Sequence, residues 1–438
     1  MEYLGPSILA PPRGRFAWLD KTCPTKECDR WQTKRPRATI FEVGEKMKVI
    51  FNGKIVTENE ILEDKAIVFD EKIVDIIDER ELGKYEYEEK IDAKGNYVLP
   101  GFIDIHIHGA GGKDVMDGSI EALEIISKTI AKKGVTGFLA TTMTMGKDDI
   151  LNSFDNVREA MKKGMPGAKI LGVHMEGPFI NKEKMGAQNP EYIMKPDYEL
   201  VKDYLDIIKI ITLAPEEDED YRFIEKIKSN SDVVLSIGHT AASYEQAIEA
   251  INKGITHATH TFNAMTPLNH RSPGVVGAVM NSDITCELIA DCIHVHPGAF
   301  NVLLKVKGSD KVILITDSMR AGCMMEGLYE LGGQEVIVKN GAARLKDGGS
   351  LAGSVLTLNI ALKNIVENTN LDLPQAVKML SLNPAKLLGL EKSKGSLSVG
   401  KDADIVIMDT SYNVKKTIIC DSGDGSPCRK TQKRTDKI

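Results

Sequence analysis

From about residue 98 onward, short apolar runs recur along the chain and alternate with stretches of helical period. The runs are GFIDIHIHG, GVTGFLATTM, AKILGVHMEG, IIKIITLAP, DVVLSIGHT, ITHATHTF, ITCELIADCIHV and KVILITDS, and each reads as a strand. Between them lie segments such as EALEIISKTIAKKG and SYEQAIEAINKG, each closing on a glycine suited to end a helix. Strands and helices alternating eight times over about 220 residues predict a (β/α)8 TIM-type barrel, an α/β fold, assigned to residues 98–392.

The flanks follow other rules. Residues 47–97 read as short strands with tight turns, one at the hairpin dipeptide Asn52-Gly53 and another at Asp70-Glu71. Near the end, LSVGKDADIVIMD and VKKTII return to strand character. The two terminal β segments, 47–97 and 393–420, are therefore expected to pair into one small β-sandwich domain beside the barrel. Neither period runs through residues 1–46 or 421–438, which are expected to be a disordered extension and a disordered tail, with Met47 a candidate natural start.

Composition narrows the class. With 42% hydrophobic and 27% charged residues the chain is that of a globular protein, and no apolar run reaches the ~18 residues of a membrane span. Seven cysteines are too few for a disulfide scaffold, and no secretory leader is visible, so a cytoplasmic protein is expected. The net charge is −7, and because both flanks are basic, residues 47–416 are more acidic still. That balance argues against nucleic acid as a partner, but leaves room for a small anionic substrate bound by local arginines.

All nine histidines lie between residues 106 and 296, and most stand at the C-terminal ends of the expected strands, where barrels assemble their active sites. His106 and His108 are two apart on the first strand and share a side, as metal ligands or as hydrogen-bonded core histidines. Glu176 ends the third strand, where burial demands a metal or a cationic partner. His239 ends the fifth strand. His257 and His260, three apart on the sixth, are expected to face opposite sides, with His260 inward. Together His106, His108, Glu176, His239 and His260 make five ligands, enough for one or two divalent metals among Zn, Fe, Mn and Co. Asp317 ends the eighth strand and suits a proton-transferring carboxylate, or the N-cap of a following helix.

The strings PGFIDIHIHG, HMEGPF, GHT, HATHTFNAM, IADCIHV, LITDSMRAG and LAGSVLTL, in this order over about 47–418, resemble the amidohydrolase superfamily and within it the N-acetylglucosamine-6-phosphate deacetylase family. The resemblance implies metal-dependent hydrolysis of the N-acetyl group of N-acetylglucosamine 6-phosphate, giving glucosamine 6-phosphate and acetate. It implies Glu176, His239 and His260 as shared ligands, and the retained His106 and His108 imply a two-metal site bridged by Glu176. Asp317 matches the catalytic aspartate, and His294 a substrate-contacting histidine. Ala187, Gln188, Asn263, Ala264 and the segment Leu351, Ala352 and Gly353 match substrate-binding positions, with Gln188 placed to help polarise the acetyl carbonyl. Arg271 matches an arginine that reaches the phosphate in a neighbouring subunit's site, which implies a homodimer. N-acetylgalactosamine 6-phosphate remains an alternative substrate. A cyclic-amide hydrolase is disfavoured because Lys209, the fourth strand's lysine, sits mid-strand and not at its end. A non-catalytic scaffold on the same fold is the reading from another class.

Overall fold

A computed structural model describes residues 47–84, 86–419 and 429–431. All eight expected strands form: β1 (Phe102–Ile107), β2 (Val135–Thr141), β3 (Lys169–Glu176), β4 (Ile208–Leu213), β5 (Val234–Ile237), β6 (His257–Ala258), β7 (Thr285–Ile289) and β8 (Val312–Ile315). They run parallel and pair in sequence order from β1 to β8. The last seam is closed by loop backbone and side chains. Asp317 N–H donates to the His106 carbonyl at 2.9 Å, and Ser318 bridges Ile107. Below them the Thr316 hydroxyl donates to the buried Asp104 carboxyl at 2.7 Å, and burial pushes that carboxyl up to about 7.

Local chemistry explains the helices between the strands. Ser119 caps Ile120–Ala131 by accepting from Ala122 N–H, and Ser243 with Gln246 forms a capping box on Tyr244–Lys253. The amphipathic faces press inward on the barrel, where Phe102, Phe138, Phe154 and Phe300 are fully buried. Each such ring contributes roughly 1.5–3 kcal/mol of burial.

The terminal segments form a sandwich. One sheet joins Ile405–Met408 and Val414–Ile419 from the end of the chain to Tyr97–Pro100, Lys54–Val56 and Ile61–Leu62 from its start. The other holds Lys48–Phe51, Lys65–Phe69, Ile73–Asp78 and Glu89–Asp92. Ile50, Phe69, Val98, Ile405 and Ile418 pack between the two.

Three expectations need correction. Asn52-Gly53 does not make a hairpin, because the strands before and after it belong to different sheets. Asn52 turns the corner at φ 55°, and a Cβ at Gly53 would lie 2.7 Å from Val98, so glycine is required by close packing. The extension expected over 1–46 lies outside the described residues, as does most of the expected tail over 421–438. Within that tail, however, Arg429–Thr431 pairs antiparallel with Val414–Ile419, whose free edge offers unpaired backbone groups. Finally, no helix follows Asp317. The chain instead builds an antiparallel sheet, Gly327–Leu331, Gln334–Lys339 and Ala342–Leu345, with turns at Gly332-Gly333 and Asn340-Gly341.

Candidate metal centre and substrate cavity

Four imidazoles converge on one carboxylate at the C-terminal mouth of the barrel. Glu176 Oε1 lies 3.2 Å from His239 Nε2, 3.0 Å from His260 Nε2 and 3.4 Å from His106 Nε2. Its other oxygen lies 3.2 Å from His108 Nε2. Asp317 Oδ1 approaches the same two β1 residues, at 3.2 Å from His108 and 3.5 Å from His106. All six residues are buried. His239, His260 and Asp317 lie just beyond strand ends and take left-handed backbone, at φ 49°, 26° and 49°. Non-glycine residues in that region cost on the order of 1–3 kcal/mol each, a strain that concentrates at functional sites.

The outer hydrogen bonds set the direction of the ring lone pairs. His239 Nδ1 meets the Lys184 carbonyl at 2.9 Å, and His108 Nδ1 the Thr141 carbonyl at 3.3 Å. His106 Nδ1 meets the Glu287 carboxylate at 2.9 Å. A ring whose Nδ1–H is committed to an oxygen presents Nε2 as a lone pair, here aimed at Glu176. Two consequences test the fit to a metal. His239 Nε2 and His260 Nε2 face each other at 3.0 Å, and the fully buried Nε2 of His106 makes no hydrogen bond. Nitrogen and carboxylate donors crowded in this way suit a divalent cation. Their atoms fall into two overlapping groups, His106, His108 and Glu176, and Glu176, His239 and His260.

When protonated on both nitrogens, the imidazoles supply the positive charge that a cation would, and the carboxylates respond to it. Burial opposes ionisation of Glu176, but the nearby His106 and His239 hold it well below the ordinary carboxylate value. Asp317 is likewise penalised by burial, yet the His108 hydrogen bond and the neighbouring imidazoles keep it low and ionised.

The cluster floors a cavity of about 170 Å³. Ala187, Gln188, Asn263, Ala264, His294, Leu351 and Gly353 line it together with His108, Glu176, His239, His260 and Asp317. The sequence of this site and its barrel matches the profile of the amidohydrolase family over residues 97–428. This chain belongs to the amidohydrolase family. It is 44% identical over 374 residues to the N-acetylglucosamine-6-phosphate deacetylase of Bacillus subtilis (strain 168), covering 83% of this chain and 93% of that one. It is 36% identical over 324 residues to the N-acetylgalactosamine-6-phosphate deacetylase of Escherichia coli O157:H7, covering 73% and 85%. Among solved structures, N-acetylglucosamine-6-phosphate deacetylase from Pasteurella multocida superposes with a TM-score of 0.81 at 34% identity, covering 85% of this chain and 98% of that chain.

Of the other residues of this amidohydrolase singled out from the sequence, some sit as expected and some otherwise. The amide of Gln188 is already engaged: Oε1 accepts from Thr144 N–H at 2.7 Å and Nε2 donates to Glu176 Oε2 at 2.8 Å. It orients the Glu176 carboxylate, and its second amide hydrogen faces Met143 Sδ at 3.7 Å and not the open cavity. Ala352 is fully buried under the antiparallel insert and does not line the cavity. Gly353 does, at φ 56°, where an added Cβ would stand 3.1 Å from the Asp317 carbonyl. Arg271 is exposed on its loop, away from the cavity, and its guanidinium has no hydrogen bond or ion pair among the described residues. His257 does not face away from the barrel interior. β6 ends at Ala258, the backbone turns at His260, and both histidines reach Glu287, His257 through its ring and His260 through its backbone N–H. Lys209 bonds the Asp206 carbonyl, away from the cluster.

Sequence reasoning missed Met143, Gly186 and Leu331 on the cavity wall. Leu331 belongs to the insert, and Gln334 of the same insert donates to the Ala187 carbonyl. It also missed Glu287, although a lone glutamate inside the apolar run ITCELIAD is a signal of its own.

Proposed function

We propose that this amidohydrolase cleaves the N-acetyl group of N-acetyl-D-glucosamine 6-phosphate, yielding D-glucosamine 6-phosphate and acetate, in amino-sugar breakdown and recycling. The observation that carries the reading is the convergence of His106, His108, His239 and His260 on Glu176 beside Asp317, on the floor of a cavity. The glucosamine substrate is favoured over the galactosamine one by the 44% against 36% identities of the relatives.

One or two divalent cations, drawn from Zn, Fe, Mn and Co, would be held by the two overlapping ligand groups, with Glu176 common to both. Such a cation supplies Lewis acidity for activating water and polarising the acetyl carbonyl. The protein's own residues do the rest. Asp317, kept ionised, takes the proton of the attacking water and returns it to the amine nitrogen as the C–N bond breaks. His294, oriented by Asp291 at 2.6 Å, lines the cavity and contacts the substrate. Gln188 holds the Glu176 carboxylate in place through its 2.8 Å hydrogen bond. Asn263 and Ala264 face the sugar phosphate. Arg271, exposed and without an ion pair, is suited to reach the phosphate in a neighbouring subunit's site, in a homodimer.

No helix among the described residues is long and apolar enough to cross a membrane. Free Cys286, Cys292 and Cys323 support a cytoplasmic setting.

The test is acetate release from N-acetylglucosamine 6-phosphate, its galactosamine epimer and the unphosphorylated sugar, on chelated and metal-restored protein. Metal-dependent turnover with the highest kcat/KM on the phosphorylated glucosamine is the expected result. Metal binding without cleavage of any of the three sugars would remove the substrate assignment.

A further inference from the structure

Glu287 stands in the middle of β7, fully buried and outside the lining of the cavity. A carboxylate so placed is costly unless its oxygens are hydrogen-bonded or paired. Its oxygens take three donors. Oε2 meets His106 Nδ1 at 2.9 Å and the backbone N–H of His260 at 2.9 Å. Oε1 meets His257 Nε2 at 3.3 Å, and the other nitrogen of that ring lies 2.7 Å from the Thr285 hydroxyl. His257 can therefore present Nε2–H to Glu287 while Nδ1 accepts from Thr285.

Two of those donors belong to residues of the cluster, one on β1 and one just past the end of β6. Committing Nδ1–H of His106 to Glu287 turns the ring so that Nε2 faces Glu176 and Asp317. His260 has no such support for its ring, since its buried Nδ1 makes no hydrogen bond. What holds His260 is its backbone, at φ 26°, tied through N–H to the same carboxylate oxygen. His106, His174 and Glu287 also lie close enough together to take a cation themselves. Both His174 nitrogens are engaged, however, by the Ile105 carbonyl at 2.9 Å and the Thr212 hydroxyl at 2.7 Å. That leaves Glu287 with His106 as a support and not as a second cation site.

We propose that Glu287 is a positioning residue for the metal centre, fixing the ring of His106 and the backbone of His260 with one oxygen and strengthening cation binding through its buried charge. The proposal rests on the metal-dependent reading above. Carboxylates that hold a ligand histidine in this way are typically worth about 10–100-fold in metal affinity.

Chelator-stripped protein is titrated with Co2+ and followed by visible absorption and calorimetry, for wild type, Glu287→Gln, His106→Gln and the double variant. Glutamine keeps an oxygen for the His260 amide and removes the charge. The expected result is a roughly 10–100-fold weaker second equivalent of Co2+ in Glu287→Gln, with a shifted absorption band. Melting of the stripped protein should be unchanged, which a merely structural role would not allow. In the His106→Gln background the effect should be smaller by more than the roughly twofold error of additivity, because the share passed through the His106 ring is gone. Equal affinities for wild type and Glu287→Gln, or an equal loss in both backgrounds, would overturn the proposal. If Glu287→Gln does not fold, Glu287→Asp carries the test, because its shortened carboxylate withdraws from His106, and unaltered Co2+ affinity overturns the idea. Wild type that binds no Co2+ removes the metal reading and this one with it. Wild type that binds while Glu287→Gln matches it removes this one alone.

Discussion

Two of the buried clusters of charge among the described residues differ in whether their valences close. Next to the sandwich, Lys394 donates to Asp402 at 2.8 Å and to Asp404 at 2.7 Å, and Asp402 also faces Lys72 at 3.7 Å. At the barrel mouth, Glu176 and Asp317 face four imidazoles whose Nε2 atoms crowd together, one of them making no hydrogen bond. The first cluster pairs its ammonium with carboxylates and ties segments of chain together. The second leaves lone pairs aimed at a shared point and lies under a cavity. Burial of charge alone does not mark a functional site; unfinished coordination does.

That contrast can be broken at several points. The largest expected effect is at the open cluster: Asp317→Asn should cost about 10²–10⁴ in kcat while metal content, read by elemental analysis, stays at the wild-type value. Turnover within tenfold of wild type would take the proton transfer away from Asp317. At the closed cluster, Lys394→Met leaves two buried carboxylates without their ammonium. Denaturant unfolding should show a loss of about 3–5 kcal/mol, with kcat and metal content of the folded protein unchanged.

The same cluster has a signature in alkali. Burial works against the Lys394 ammonium, but Asp404 and Asp402 raise its pKa above the ordinary 10.5. Folding therefore gains stability from this lysine below about that pH and loses it as pH rises beyond, through the folded-state value. Wild type should shed this increment in alkaline unfolding curves and Lys394→Met should not. Parallel curves would mean that the lysine is not the source. The smallest effect belongs to Gln188→Ala, which removes one brace of Glu176 and should weaken metal binding by about tenfold, seen in a competition titration. A pure loss of kcat with metal affinity intact would return Gln188 to the role of an oxyanion donor.

The barrel was legible because its strands are short apolar runs and its ligands stand where those runs stop. What the sequence hid depends on contacts far along the chain. Asn52-Gly53 has the local chemistry of a hairpin, yet the partners of its flanking strands, out to Tyr97–Pro100 and Lys65–Phe69, put them in separate sheets. The parity argument for His257 and His260 assumes an unbroken strand, whereas β6 is two residues long and the backbone turns at His260. The role of Gln188 is decided by Thr144, 44 residues earlier, whose N–H takes its oxygen. The antiparallel insert is signalled by its glycine turns and by the alternation in QEVIVK.

The seam between β1 and β8 joins the two halves of the chemistry, with His106 and His108 on one lip and Asp317 on the other. No regular ladder joins them: the seam is held by three backbone bonds, Asp317 N–H to the His106 carbonyl and His108 and Gly109 N–H to the Ser318 carbonyl, and by the Thr316–Asp104 contact. Thermal breathing of a barrel begins where its ladder is shortest. An opening of about 1 Å at this line would carry the base away from its histidines, a displacement able to cost about 10²-fold in rate. Warming should therefore silence turnover before calorimetry records melting, and amide hydrogens at the seam should exchange ahead of those inside the other strands.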